Sequence, residues 1–391
     1  MYHAYQHGQG SRLIDNSSRH CPYYNQGLFI GAVPSEKTQI SMCCWQNKSA
    51  ADTITFDHPY LENIREESRT AIPKSCSPHC SVPGHIANER ERSLVEWNTL
   101  ISTDTESKVI RSLHLEQSLL CNLKCISCSS RFSSSWNGEY QLFEPDAPQI
   151  TLKKNPESVW QHLDLQHIKK LHFTGGEPLL NRDNKKILQH LDSLGVLPDL
   201  IVSYNTNGTV IPDAETLALW KRCRFVRLFF SLDGIGSTFE FTRFPAAWSE
   251  VQDNIQYFRS LKDTCILIEV NAIVGVHNIF NLPEFFQWWK DHCQTGSQGD
   301  PSQIFVRRID PSSYGGTVLD LRHLTKNQAL SAVDMLYSLS DYPGVHTILD
   351  YIKQNSQPDN CWVDYLDRLS ELRKIDWRTA LSPEIQKELT C

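Results

Sequence analysis

Cys121, Cys125 and Cys128 stand in a C-x3-C-x2-C spacing within Cys121-Asn122-Leu123-Lys124-Cys125-Ile126-Ser127-Cys128. Three thiolates on one short loop can hold three irons of a [4Fe–4S] cluster. A cluster used only for electron transfer normally takes four cysteines, so this loop implies one iron open to a small molecule. A structural zinc site is the competing chemistry. It needs four N or S ligands, usually in paired C-x2-C spacing, and the nearby His114 belongs to the strand-like run before the loop.

A second set lies upstream: Cys21, the pair Cys43-Cys44, and Cys76 with Cys80 in Cys76-Ser77-Pro78-His79-Cys80. With one ligand from the pair, the set supplies four thiolates, enough for a saturated cluster or a zinc site. Scattered buried thiols are the alternative, since free cysteine is often a small core residue. Cys223, Cys265, Cys293, Cys361 and Cys391 show no paired spacing and read as structural or incidental.

The elements that must position these residues change character along the chain. Residues 1–105 are rich in Ser, Pro, Asn, His and Cys and show no long amphipathic helix. Their strand-like pieces, 27–33 and 38–43, flank the turn Pro34-Ser35-Glu36-Lys37. So small a β-rich domain has little core, and metal ligation would supply what is missing.

From about residue 108, strand patterns at 110–116, 168–173, 200–204, 225–232, 266–274 and 304–309 alternate with helical ones at 183–194, 215–222, 248–261 and 282–292. Asp183 is the expected N-cap of the first of these helices. Alternation of this kind predicts a parallel sheet with right-handed crossovers. Six units make an α/β fold of partial (β/α)6 TIM-like barrel type, with its chemistry at the C-terminal strand ends. The unusual loops all fall there: the cysteine loop, Thr174-Gly175-Gly176-Glu177-Pro178, Asn205-Thr206-Asn207-Gly208, and Asp233-Gly234.

The expected domains are thus 1–105, a barrel over 106–320, and a helical extension over 321–391. Helical spacing at 325–339 and 361–375 supports the last. Asp364, Asp367, Glu371 and Arg373 read as a solvated helix face.

The whole chain sets the class. Thirteen cysteines in 391 residues without a signal-peptide core point to metal or redox work rather than disulfides. No apolar run nears the ~18 residues of a membrane span, so a cytoplasmic protein is expected. A net charge of −7 gives no global basic field for a phosphate backbone, so no nucleic-acid partner is expected.

The cysteine loop, followed by Gly175-Gly176-Glu177-Pro178 at a strand end, resembles the radical S-adenosylmethionine (radical SAM) superfamily. The resemblance extends through Asn205-Thr206-Asn207-Gly208, Ser231-Leu232-Asp233-Gly234 and Phe241-Thr242-Arg243, over residues 110–310. One departure is Ser127, with Ile126 beside it, where the family often has an aromatic or large residue. The N-terminal region is similar to the twitch or SPASM auxiliary-cluster domains, placed here before the barrel instead of after it.

The resemblance implies a [4Fe–4S] cluster on Cys121, Cys125 and Cys128, with S-adenosylmethionine on its open iron. Gly175 and Gly176 would let the backbone approach the methionine amino group, and Glu177 and Pro178 complete that run. Ser231 and Asp233 would meet ribose hydroxyls, and Arg243 the methionine carboxylate. Asn205 and Asn271 would contact cofactor or substrate. An auxiliary [4Fe–4S] cluster would sit on Cys21, Cys43, Cys76 and Cys80, with Cys43 preferred to Cys44 by strand register.

The implied activity is reductive cleavage to a 5′-deoxyadenosyl radical, followed by oxidative modification of a peptide through hydrogen abstraction from carbon, such as a crosslink or desaturation. A flavodoxin- or ferredoxin-like donor of low potential would supply the electron. Small-metabolite chemistry on an amino acid or sugar is an alternative. A non-catalytic iron–sulfur or zinc sensor or scaffold is an alternative of another class.

Overall fold

The computed structural model describes residues 21, 23–31, 38–44, 46–76, 97, 107–146, 159–261, 266–293, 304–311 and 313–387. Cys80, Cys265, Cys391 and the turn 34–37 lie outside the described residues. The chain forms two compact units. The first is Met1–Leu119, Thr151–Tyr204 and Pro212–Val226; the second is Leu120–Ile150, Asn205–Ile211 and Arg227–Cys391.

In the first unit the strands are β1 (Gly27–Gly31), β2 (Thr38–Ser41), β3 (Ser49–Ala51), β4 (Ser112–Glu116), β5 (Lys170–Phe173) and β6 (Ile201–Thr206). Their order is β3-β2-β1-β4-β5-β6. The N-terminal strands join the parallel sheet directly, because β1 pairs in parallel with β4 while β2 and β3 fold back antiparallel. A ten-residue helix, Pro59–Ser68, stands where sequence periodicity gave none. Its start was written in His58-Pro59: His58 caps the Tyr60 N–H, and proline suits the first helical turn.

Register places Phe29, His114, His172 and Ser203 in one row across four strands. Leu113, Leu115, Leu171, Phe173, Val202 and Tyr204 alternate onto the other face and are buried. There the helix Asp183–Ser193 contributes Ile187, Leu188 and Leu191. Phe173 stacks on Tyr204, and the Trp220 indole N–H donates to the Tyr204 hydroxyl at 3.2 Å. Burying each such side chain contributes about 1.5–3 kcal/mol. The residue preceding that helix, Arg182, is its N-cap, one position earlier than expected.

The second unit carries β7 (Phe225–Ser231), β8 (Ile266–Val274) and β9 (Ile304–Arg308), in the order β7-β8-β9. β8 and β9 are parallel. Leu228 and Phe230 are buried on one face, and the Phe230 ring meets Phe258 of the helix Trp248–Ser260 edge-on. Arg227, Phe229 and Ser231 occupy the other face. The sheet is open, so the fold is an α/β partial barrel rather than a closed one.

The C-terminal segment is helical. Thr325 and Gln328 form a reciprocal capping box on Lys326–Tyr337, followed by Val345–Gln354 and Cys361–Arg373. No helix of the described residues is long and apolar enough to cross a membrane.

Candidate active site at the cysteine loop

Within the second unit, the backbone of the cysteine loop is held at many points. The Lys124 N–H donates to the Phe244 carbonyl at 2.6 Å and the Ile126 N–H to the Thr242 carbonyl at 2.9 Å. Ser133 Oγ donates to the Leu123 carbonyl at 2.6 Å, Ser135 Oγ to Cys121 at 2.7 Å, and the Trp136 indole N–H to Cys125 at 3.1 Å. From the helix Cys361–Arg373, the Tyr365 hydroxyl donates to the Ile126 carbonyl at 2.7 Å and Arg373 Nη2 to the Lys124 carbonyl at 2.5 Å. A Cβ on Gly315 would lie 1.9 Å from the Ile126 oxygen, so only glycine fits against the loop there. Backbone committed to this extent fixes the geometry of the thiols it carries.

Three thiols on one rigidly held loop fit a cluster, whose irons are separate points of attachment. Burial pushes the Cys125 thiol up to about 11 against the pull of Arg243, and raises Cys128 still further with help from Cys125. Both are thiols at neutral pH until a metal displaces their protons.

Arg243 stands beside them. Its Nη1 is 3.7 Å from the Cys125 sulfur, and its Nη2 pairs with Asp233 Oδ2 at 2.8 Å. Burial would lower the guanidinium pKa, but Asp233 and the neighbouring thiols more than offset it. Asp233 Oδ1 accepts the Ile273 N–H at 2.9 Å, so the carboxylate also ties β8 to the turn after β7. The buried Arg243 Nε and His277 Nδ1 have no protein partner. Burial, then Arg243, lowers His277 to about 3, so its ring is neutral.

Asn207, from the same strand-end segment as Asn205, reaches 3.9 Å from the Cys121 sulfur with Nδ2 and bonds Asn122 Oδ1 at 2.9 Å. Asn205, Ser231 and Asn271 are half-buried on β6, β7 and β8, and the Asn271 carbonyl accepts the Leu232 N–H at 3.2 Å. Arg373, expected on a solvated face, is 5% exposed and lies over the Trp136 and Phe244 rings. Charge spacing on a helix does not reveal that one arginine points inward to cap carbonyls.

In the first unit, Gly175 (φ +81°) and Gly176 (φ +36°) turn the chain after β5. A Cβ on Gly175 would meet Glu116 Cγ at 2.6 Å and the Ser118 oxygen at 2.7 Å. Glu177 is buried, and its Oε1 accepts the Leu179 N–H at 3.0 Å to start the turn Pro178–Leu180. The Pro178 carbonyl accepts from Asn184 Nδ2 at 2.8 Å.

Of the upstream cysteines, Cys76 receives Gln46 Nε2 at 3.4 Å and lies 3.3 Å from the Tyr24 hydroxyl. The Tyr24 N–H bonds the Cys21 carbonyl at 3.1 Å. Burial raises the Tyr60 hydroxyl pKa, and Cys76 and Cys43 both add to the rise. Cys43 is half-buried and Cys44 exposed.

Residues 117–279 match the radical SAM superfamily. This part of the chain is a radical SAM domain. Its cofactors are a [4Fe–4S] cluster and S-adenosylmethionine, and it takes in the cysteine loop, the Gly-Gly-Glu-Pro run, Asp233 and Arg243. The chain is 28% identical over 193 residues to a GTP 3′,8-cyclase of Bradyrhizobium diazoefficiens, covering 48% of this chain and 51% of that protein. It is 30% identical over 177 residues to a probable GTP 3′,8-cyclase of Methanocella arvoryzae, covering 44% and 52%. The chain thus spans about half the length of these curated relatives. Among solved structures, Streptococcus suis SuiB bound to the precursor peptide SuiA aligns with TM-score 0.40 and 16% identity, over 82% of this chain and 60% of that one.

Proposed function

We propose that the chain is a radical SAM enzyme that cleaves S-adenosylmethionine reductively and abstracts hydrogen from a carbon of a small polar metabolite. When bound at Cys121, Cys125 and Cys128, the cluster and its cosubstrate supply the one-electron cleavage and the 5′-deoxyadenosyl radical. The protein binds, orients and excludes water. Arg243, with Nε buried and unpartnered beside the Cys125 sulfur, suits a carboxylate such as that of methionine. The Gly175–Gly176 turn suits a close backbone approach.

The inner strand faces carry the substrate reading. In the first unit His114 Nε2 meets Thr174 Oγ1 at 2.6 Å, His172 Nδ1 meets Ser203 Oγ at 2.7 Å, and the two imidazoles lie 4.6 Å apart. Burial lowers the His114 pKa, with His172 adding to the effect, and raises Glu116 to about 7. Near neutral pH His114 is uncharged and Glu116 is close to its titration point, so this face offers hydrogen-bonding groups without a large fixed charge. In the second unit Arg227 grips Glu269 through two bonds of 2.9 and 3.0 Å. Titratable and aromatic strand faces offer many polar contacts to a compact polar molecule. The activity named for the GTP 3′,8-cyclase relatives, on a nucleotide, agrees with this class.

A peptide substrate is the second reading, favoured by the cysteines around Tyr24 and Tyr60. Cys21, Cys43, Cys76 and Cys80 would hold an auxiliary cluster able to take an electron from a substrate radical, which makes the net reaction an oxidation. A low-potential flavodoxin- or ferredoxin-like donor would serve either reading. The test is to measure 5′-deoxyadenosine formation by reduced, reconstituted enzyme against a panel of nucleotides, sugar phosphates, amino acids and peptides. Stimulation by a small metabolite supports the first reading; stimulation by peptides alone overturns it in favour of the second.

A further inference from the structure

A cluster of possible metal ligands lies in the C-terminal segment, away in sequence from every cysteine motif. A ring nitrogen of His323, a carboxylate oxygen of Asp359 and the Cys361 sulfur all lie within 4.8 Å of one another. Three side chains of different chemistry, from two stretches of chain, converge on one point.

Their surroundings point the same way. His323 is 8% exposed, and its Nδ1 has no hydrogen-bond partner. Its Nε2 accepts the Arg322 Nε–H at 3.3 Å and also lies 3.2 Å from the Thr317 carbonyl. Metal binding at the unpartnered Nδ1 would set the ring proton on Nε2, facing that carbonyl, as metal-bound histidines commonly do. Asp359 Oδ1 accepts the Cys361 N–H at 2.9 Å, which holds carboxylate and thiol in register at the start of the helix Cys361–Arg373. The Asp359 N–H meets the His323 carbonyl at 3.5 Å.

We propose that His323, Asp359 and Cys361 bind one divalent zinc-class cation, with a fourth position left to water. Mixed S, N and O donors are the set that zinc accepts, whereas calcium and magnesium take oxygen alone. A tetrahedral site needs donors about 3.3–3.8 Å apart, within reach of small side-chain adjustments from the present separations of 4.8 Å or less. The ion would pin the first turn of the helix whose Tyr365 and Arg373 hold the cysteine loop. This site is independent of the radical SAM cofactors and of the substrate class.

The test uses the full chain loaded with iron and sulfide. It is equilibrated with buffered zinc and desalted, and zinc and iron are counted. Wild type should retain one zinc per chain. Cys361→Ser and the exposed-site variant Asp359→Asn should each lower zinc affinity by about tenfold or more at unchanged iron. Zinc-edge absorption should show one sulfur at about 2.3 Å with the remaining ligands N or O at about 2.0–2.2 Å. No zinc in the wild type, equal zinc in Cys361→Ser, or a shell of three or four sulfurs would each overturn the proposal. The last would mean zinc had entered the cysteine loops.

Discussion

The Arg243 guanidinium bridges Asp233 and the Cys125 thiol, at 2.8 Å from the carboxylate and 3.7 Å from the sulfur. The two charged side chains are 8% and 2% exposed. Removing one partner strands the other's charge out of water, at a cost of about 3–5 kcal/mol. Arg243→Leu should therefore lower the unfolding free energy by that amount, read as a lower urea midpoint, and abolish cleavage of S-adenosylmethionine. Arg243→Lys keeps the charge but loses the fork, and should cost less in both. An Arg243→Leu protein with an unchanged midpoint would show the pair to be unimportant for stability.

Glu116 sets a pH dependence. Burial raises its folded pKa from 4.5 to about 7, with Lys48 opposing. The folded state then keeps a proton that the unfolded chain gives up, so this contribution is complete below pH 4.5 and fades as pH rises through about 7. The gap corresponds to up to about 3 kcal/mol. His114 works in the opposite sense, since its lowered pKa favours the fold as pH rises. The difference between wild type and Glu116→Gln isolates the Glu116 contribution. The variant should gain stability relative to wild type from pH 5 to pH 8; a constant difference across that range would contradict the account.

Gly175 has φ +81° and no room for a methyl group, with Glu116 Cγ and the Ser118 oxygen at 2.6 and 2.7 Å from the Cβ position. Gly175→Ala should destabilise the protein by about 1–3 kcal/mol and weaken S-adenosylmethionine binding, read by calorimetry on the cluster-loaded protein. Gly195, also at positive φ but with open space around it, provides the control. Gly195→Ala should leave binding intact, and a matching loss there would assign the Gly175 effect to general strain.

The barrel strands were legible because period-two runs of Val, Ile, Leu and Phe alternate with helical spacing, and β4 to β9 each overlap an expected strand. The cysteine spacing and the Gly-Gly-Glu-Pro run were legible because they are short and local. What could not be read were the long-range pairings. Nothing in Gly27–Gly31 says that β1 will lie parallel to β4. Tyr365 and Arg373 sit 239 and 249 residues from the loop carbonyls they hold, with only helical periodicity to describe them. His323 and Cys361 likewise had no spacing signature, since their proximity depends on where Leu321–His323 meets the start of a distant helix.

The central claim is that Cys121–Cys128 performs radical SAM chemistry. The most direct measurement is anaerobic: reconstitute the protein with iron and sulfide, reduce it, add S-adenosylmethionine, and quantify 5′-deoxyadenosine beside a Cys125→Ala control, with binding of S-adenosylmethionine measured on the same samples. The account predicts binding and 5′-deoxyadenosine from the wild type, and neither cluster at the loop nor product from Cys125→Ala. A fully iron-loaded wild type that neither binds S-adenosylmethionine nor forms 5′-deoxyadenosine would contradict it.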